Sequence, residues 1–160
     1  METGYFLPLF RALHERVRGG QASEAERARY AELQGQFADC LVTAQNLAVP
    51  SGLQPRRDFR VSHAFPLEVG RLDRTVTHDI SQSGFSALVP CRFREGQEVA
   101  FSLLADRGAP PISGVARVVA IEHDATSVTS RVCFAFLSLA RDTGHRLESA
   151  LFEAALSRLA

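Results

Sequence analysis

The chain has 160 residues, 46% apolar and 22% charged, which suits one core-forming domain with an extension and is too apolar for disorder over most of its length. Eighteen basic residues, all arginine, balance 18 acidic ones, so no global field draws the protein to nucleic acid or an anionic membrane. Any anion site must be local. Cys40, Cys91 and Cys133 form an odd, widely spaced trio, which argues against a disulfide framework and a zinc site; they read as buried small apolar residues in a reducing compartment. No apolar run reaches the ~18 residues of a bilayer span, and no basic start leads into a secretory signal. The expectation is a cytoplasmic protein without membrane insertion.

Phe6, Leu9, Phe10, Leu13 and Val17 recur at spacings of three and four, predicting an amphipathic helix over residues 5–18, with Pro8 in its first turn and Gly19-Gly20 as its end. Ser23-Glu24-Ala25-Glu26 is a capping-box signature that opens a second helix, to about Leu47. Its stripe is Tyr30, Leu33, Phe37, Leu41, Ala44 and Ala48. A helical hairpin over residues 1–49 follows, and two apolar stripes of this kind call for cover from the following domain or from a second copy of the chain.

Residues 50–55 are rich in turn formers and read as a linker; from residue 56 to 160 the pattern is that of a barrel closed by a C-terminal helix. After the linker the period becomes 2. Val61, His63, Phe65, Leu67 and Val69 form one inward face of a strand in which Pro66 favours an edge or a bulge. Further strands are expected at residues 75–80, 85–89, 98–105, 113–123 and 127–137. The separators are Gly70 to Asp73, Gln82 to Gly84, Glu95-Gly96, Asp106 to Pro111 and Asp124-Ala125. Six short strands at this spacing imply a mainly β fold, a six-stranded antiparallel barrel. The helical period returns over residues 141–159, with Leu147, Ala150, Leu151, Ala154 and Ala155 on one side and Phe152, Leu156 and Leu159 widening the stripe.

Two segments carry chemistry. Arg56 and Arg60 are four apart, which puts both on one side of either an extended or a helical backbone and suits an anion. Asp79 and Ser81 are two apart in an alternating run and share a face, and Gly84 permits close approach of a backbone or a ligand. Arg56-Arg57-Asp58-Phe59-Arg60 followed by Asp79-Ile80-Ser81-Gln82-Ser83-Gly84 resembles the R-x-x-x-R and D/N-x-S-x-x-G motifs of PilZ domains, bacterial receptors for cyclic di-GMP. The resemblance covers roughly residues 54–158, including the last two strands and the helix after them. It implies that Arg56 and Arg60, helped by Arg57, bind phosphates and guanine bases. It implies also that Asp79 and Ser81 address a guanine edge and the ligand backbone, and that Gly84 holds the turn. The sequence departs from the family at Pro55, where many members have a further arginine, and at Ala120, where they have an aromatic.

No G-x-S-x-G, H-E-x-x-H or P-loop occurs, and His14, His78, His123 and His145 have no ligand spacing, so they read as structural histidines rather than a metal site. The expected function is a non-enzymatic cyclic di-GMP receptor with no cofactor or metal, in which the ligand draws residues 51–60 onto the barrel and moves the helical hairpin. An unidentified protein partner and homodimerisation through the helices belong to that expectation; nucleic acid does not, because a basic groove with exposed aromatics is expected of a single-strand binder and the charge here is balanced. The alternative is a PilZ-like interaction module that works independently of nucleotide.

Overall fold

The computed structural model describes residues 3–50, 52–71, 74–90, 92–123, 126–141 and 143–159. Cys91, linker residue Ser51, Leu72 and Asp73 of the first separator and the Asp124-Ala125 separator lie outside the described residues. The chain divides into two compact units, Met1–Phe59 and Arg60–Ala160.

The first unit holds α1 (Thr3–Arg18) and α2 (Glu24–Leu47). Because α1 begins at Thr3, Pro8 falls in its second turn rather than its first. Gly20, with φ 70°, ends the helix: its N–H donates to Val17 O at 3.1 Å and that of Gln21 to Arg16 O at 2.9 Å, closing the last turn on a residue that tolerates the left-handed region. The capping box forms as expected. Ser23 Oγ accepts the Glu26 N–H at 3.2 Å, and Glu26 accepts the Ser23 N–H at 2.9 Å. That main-chain N–H, with Arg16 beside it, holds the Glu26 carboxyl below its ordinary value. Its contribution is therefore present above the ordinary carboxylate pKa and is lost as pH falls through the lowered one.

The helices meet through rings. Phe10, fully buried, contacts Phe6, Tyr30 and Phe37, with centroids 5.0–6.2 Å apart. His14 is buried as a structural histidine, its Nδ1 2.8 Å from the Tyr30 hydroxyl. The expected stripe of α2 is buried only in its first half. Tyr30, Leu33 and Phe37 are buried, Leu41 is half-buried, and Ala44 and Ala48 are exposed. Cys40 is exposed as well, which corrects the expectation of a buried thiol. It lies seven residues after Leu33 and three after Phe37, on the same side of α2 but beyond the stretch whose residues are buried.

The second unit is a closed antiparallel barrel followed by α3 (Gly144–Arg158). Its strands are β1 (Pro66–Val69), β2 (Thr75–Ile80), β3 (Gly84–Pro90), β4 (Glu98–Leu103), β5 (Ile112–His123) and β6 (Thr129–Leu139), in the order β1-β2-β3-β6-β5-β4. Pairing of β1 with β4 closes the ring, so Pro66 opens a strand rather than marking an edge. The interior is filled by Leu67, Val69, Phe85, Ala87, Phe101, Val118, Val132 and Phe134, with the Phe85 and Phe134 rings stacked at 4.8 Å.

The first strand is shorter than its alternation suggests, and His63 is exposed. Thr77 explains the break. Its hydroxyl donates to His63 O at 2.6 Å and accepts the Phe65 N–H at 2.9 Å, taking main-chain groups that a ladder would otherwise pair. Before β1, Phe65 O accepts the Thr77 N–H at 3.0 Å and Val61 forms an isolated bridge to Ile80.

β6 passes close to two glycines. A Cβ at Gly84 would lie 2.0 Å from Phe134 O, and one at Gly114 2.0 Å from Ser138 O, so neither site accepts a side chain without a backbone shift. Gly84→Ala and Gly114→Ala should each lower barrel stability by ~1–3 kcal/mol or more, read as a lower urea midpoint without ligand. An unchanged midpoint would contradict this close packing.

Candidate functional site

The site residues of the second unit converge on β2 because β2 is bulged. Thr77 pairs with Ala87 but Asp79 pairs with Ser86, leaving His78 as the extra residue. Simple alternation would put Thr77 and Asp79 on one face; the bulge turns Asp79 outward while Thr77 stays in the core. A second bulge on β5, where Val118 pairs with Phe134 and Ala120 with Cys133, leaves Val119 as the extra residue. The pairings then run Asp79 to Ser86, Ser86 to Cys133 and Cys133 to Ala120, a row on the outer face crossing four strands.

Asp79 is the centre of this row. Its Oδ1 accepts the Ser86 hydroxyl at 2.8 Å, and its Oδ2 accepts from Arg131 at 2.6 Å. Arg60 stands farther off, with Nη1 3.6 Å from Oδ1. The Asp79 side chain is 12% exposed, against 32% for Arg131 and 41% for Arg60. A nearly buried carboxylate is thus compensated by a close guanidinium, a fully buried hydroxyl and a looser, wetter guanidinium. Arg131 also reaches Glu122 at 3.8 Å. Cys133, half-buried in the same row, has its thiol pushed up by burial and is a poor nucleophile there.

The Val61–Ile80 bridge holds the chain after Arg60 against the end of β2, each N–H donating to the other's carbonyl at 2.9 and 3.0 Å. Ser81 builds the turn that follows. It is 3% exposed; its N–H donates to Gly84 O at 2.8 Å, and its Oγ accepts the Ser83 N–H at 3.2 Å. Gly84 then enters β3 against β6.

Arg60, Asp79, Ser81 and Gly84 are therefore brought together within one unit. Arg56 and Arg57 belong to the other, both exposed, with the Arg56 main chain held by Asn46. Sequence reading missed Arg131 and Ser86. Both fall on outward positions of period-2 runs, but only the register between β2, β3 and β6 brings them to Asp79. Ala120 does lie in the Asp79 row, so the position where the family has an aromatic carries a methyl beside the site.

The PilZ domain family matches residues 53–153 of the sequence. The chain belongs to the PilZ domain family. Its fold is similar to that of the Bacillus subtilis inhibitor of motility MotI/DgrA, at 18% identity and a TM-score of 0.57 over 66% of this chain and 53% of that one. It is similar also to Escherichia coli YcgR in complex with c-di-GMP, at 22% identity and 0.54 over 67% of this chain and 49% of that one. The PilZ domain of YcgR with c-di-GMP gives 24% identity and 0.50 over 66% of this chain and 94% of that one. The chain spans about half the length of the first two proteins. No curated protein matches it in sequence. Among the described residues, no helix is long and apolar enough to cross a membrane, and no group of three His, Cys, Asp or Glu side chains could hold a metal ion.

The Asp79 carboxylate is held by unequal partners, and stability without ligand should reveal it. Arg131→Ala leaves a nearly buried carboxylate short of its close partner and should cost ~1–2 kcal/mol, whereas Arg60→Ala should cost less than ~0.5 kcal/mol. Urea denaturation of the two variants checks this, and equal losses would contradict the assignment of Arg131 as the principal partner.

Proposed function

We propose that the protein is a non-enzymatic receptor for cyclic di-GMP, acting in the cytoplasm, with Arg56, Arg57, Arg60, Asp79, Ser81 and Gly84 as its ligand-binding set. The observation that carries this reading is the outward Asp79 carboxylate, held by Arg131 and Ser86 with Arg60 loosely beside it, at the Gly84 turn of a PilZ barrel. The same ligand is named with two of the similar structures, the complexes of YcgR.

The chemistry suits a guanine. Its N1–H and N2–H donate side by side, and a carboxylate offers about four acceptor sites. Ser86, Arg131 and Arg60 draw on three of them. Arg60 is the farthest and most exposed partner, so it is the one to leave: turning from Asp79 to a ligand phosphate or to guanine O6 and N7, it frees an acceptor and gains a stronger bidentate contact. Arg131 keeps the carboxylate in place meanwhile. Ser81 acts by fixing the turn.

Arg56 and Arg57 complete the set from the first unit. A ligand that engages them together with Arg60 and Asp79 restrains the linker, and the helical hairpin responds to it. The output is a changed surface for a protein partner or for a second copy of the chain. The C-terminal half of α2, where Leu47 is 85% exposed and Ala44 is open, together with the exposed Ala48 that caps it, supports a role for the helices in that output. The same exposed half-helix is what favours the second reading, a module that binds its partner without nucleotide.

Each good bidentate contact to a base is worth ~1–3 kcal/mol. Titration calorimetry should therefore show Arg56→Ala, Arg60→Ala and Asp79→Ala each weakening cyclic di-GMP binding at least about tenfold. Unchanged affinity in all three would exclude this site.

A further inference from the structure

The chain leaves α2 at Leu47 and comes back to it at Arg56. Asn46 Oδ1 accepts the Arg56 main-chain N–H at 2.7 Å, and Asn46 Nδ2 donates to the Arg56 carbonyl at 3.1 Å. One side-chain amide thus satisfies both main-chain groups of one residue, the pairing that a neighbouring strand would otherwise supply. Asparagine fits this task by its composition. Aspartate has no donor for the carbonyl, serine cannot span both groups, and glutamine adds a methylene to the reach. The turn in between is itself bonded: Val49 donates to Asn46 O at 3.1 Å and Leu53 to Pro50 O at 3.3 Å. The Arg56 side chain takes no part and is exposed.

We propose that Asn46 is a positioning residue for Arg56, holding the main chain of the first site arginine on the last turn of α2 while leaving its guanidinium available to an anion. The inference rests on the reading of Arg56 as a cyclic di-GMP contact and adds what that reading lacks, the residue through which the arginine is held. Closing the segment before the ligand arrives removes part of the ordering cost that a free linker pays on binding. It also ties any displacement of Arg56 to the end of α2.

The test uses four full-length chains: the parent, Asn46→Ala, Arg56→Ala and the double variant, each titrated with cyclic di-GMP. Asn46→Ala should weaken binding about fivefold in the parent, the order expected for two solvent-accessible hydrogen bonds. It should cost nothing further once Arg56 is alanine, because no guanidinium remains to be positioned. Amide hydrogen exchange without ligand gives a second readout: the Arg56 N–H should exchange at least about tenfold faster in Asn46→Ala, with β2 and β3 amides unchanged. Equal losses in both backgrounds, no loss in the parent, or an unaltered Arg56 amide would overturn the inference. If Arg56→Ala binds as tightly as the parent, the ligand reading of Arg56 fails and the inference falls with it. If Arg56→Ala weakens binding while Asn46→Ala does not, Arg56 stands as a contact and only the role of Asn46 is lost.

Discussion

The register shift at His78 is the constraint on which the site depends. Without that extra residue Asp79 would share the inward face of Thr77, and a carboxylate would lie in a core of phenylalanine and valine, where its desolvation would be prohibitive. With it, the carboxylate emerges on the outer wall beside Ser86, within reach of a guanidinium two strands away. Thr77 uses its inward position to anchor the segment before β1, so one irregularity orders both sides of the strand.

The barrel gives this arrangement its rigidity. Closure through β1 and β4 removes every free edge, and the approach of β6 to Gly84 and Gly114 leaves no space for a side chain at either. Arg131 stands on the strand that makes both approaches. Its hold on Asp79 therefore comes from the stiff part of the molecule, while Arg60, just before the isolated Val61 bridge, sits on a weakly paired segment. A fixed partner and a loose one on one carboxylate are what an exchange of partners needs: something must stay while something leaves.

Much of this was legible in the sequence, and the exceptions share a cause. The ends of β2 follow from its alternation, the hairpin from spacing and the Ser23 capping box, and the Arg56 to Gly84 motifs from residue order. What could not be read is whatever depends on register. Arg131 lies 52 residues from Asp79 and reaches it only through two strand pairings. Alternation put His63 inside, because nothing local announces that the Thr77 hydroxyl will take the main-chain groups there. The stripe of α2 continues in sequence past Phe37, but periodicity marks a face and does not say how far along the helix that face is covered. The exposed Cys40 shows the same limit for composition.

The claim that the Asp79 row receives a guanine nucleotide is tested most directly by thermal unfolding of the full chain with cyclic di-GMP and, in parallel, with cyclic di-AMP. A ligand that binds only the folded form at a hundredfold excess over its Kd adds ~2.7 kcal/mol, or roughly 5–10 °C for a chain of this size. The adenine nucleotide lacks the paired N1–H and N2–H donors that the carboxylate accepts. The transition should rise by that order with cyclic di-GMP and little with cyclic di-AMP; an unmoved transition with the guanine nucleotide, or an equal shift with both, would contradict recognition of guanine at Asp79.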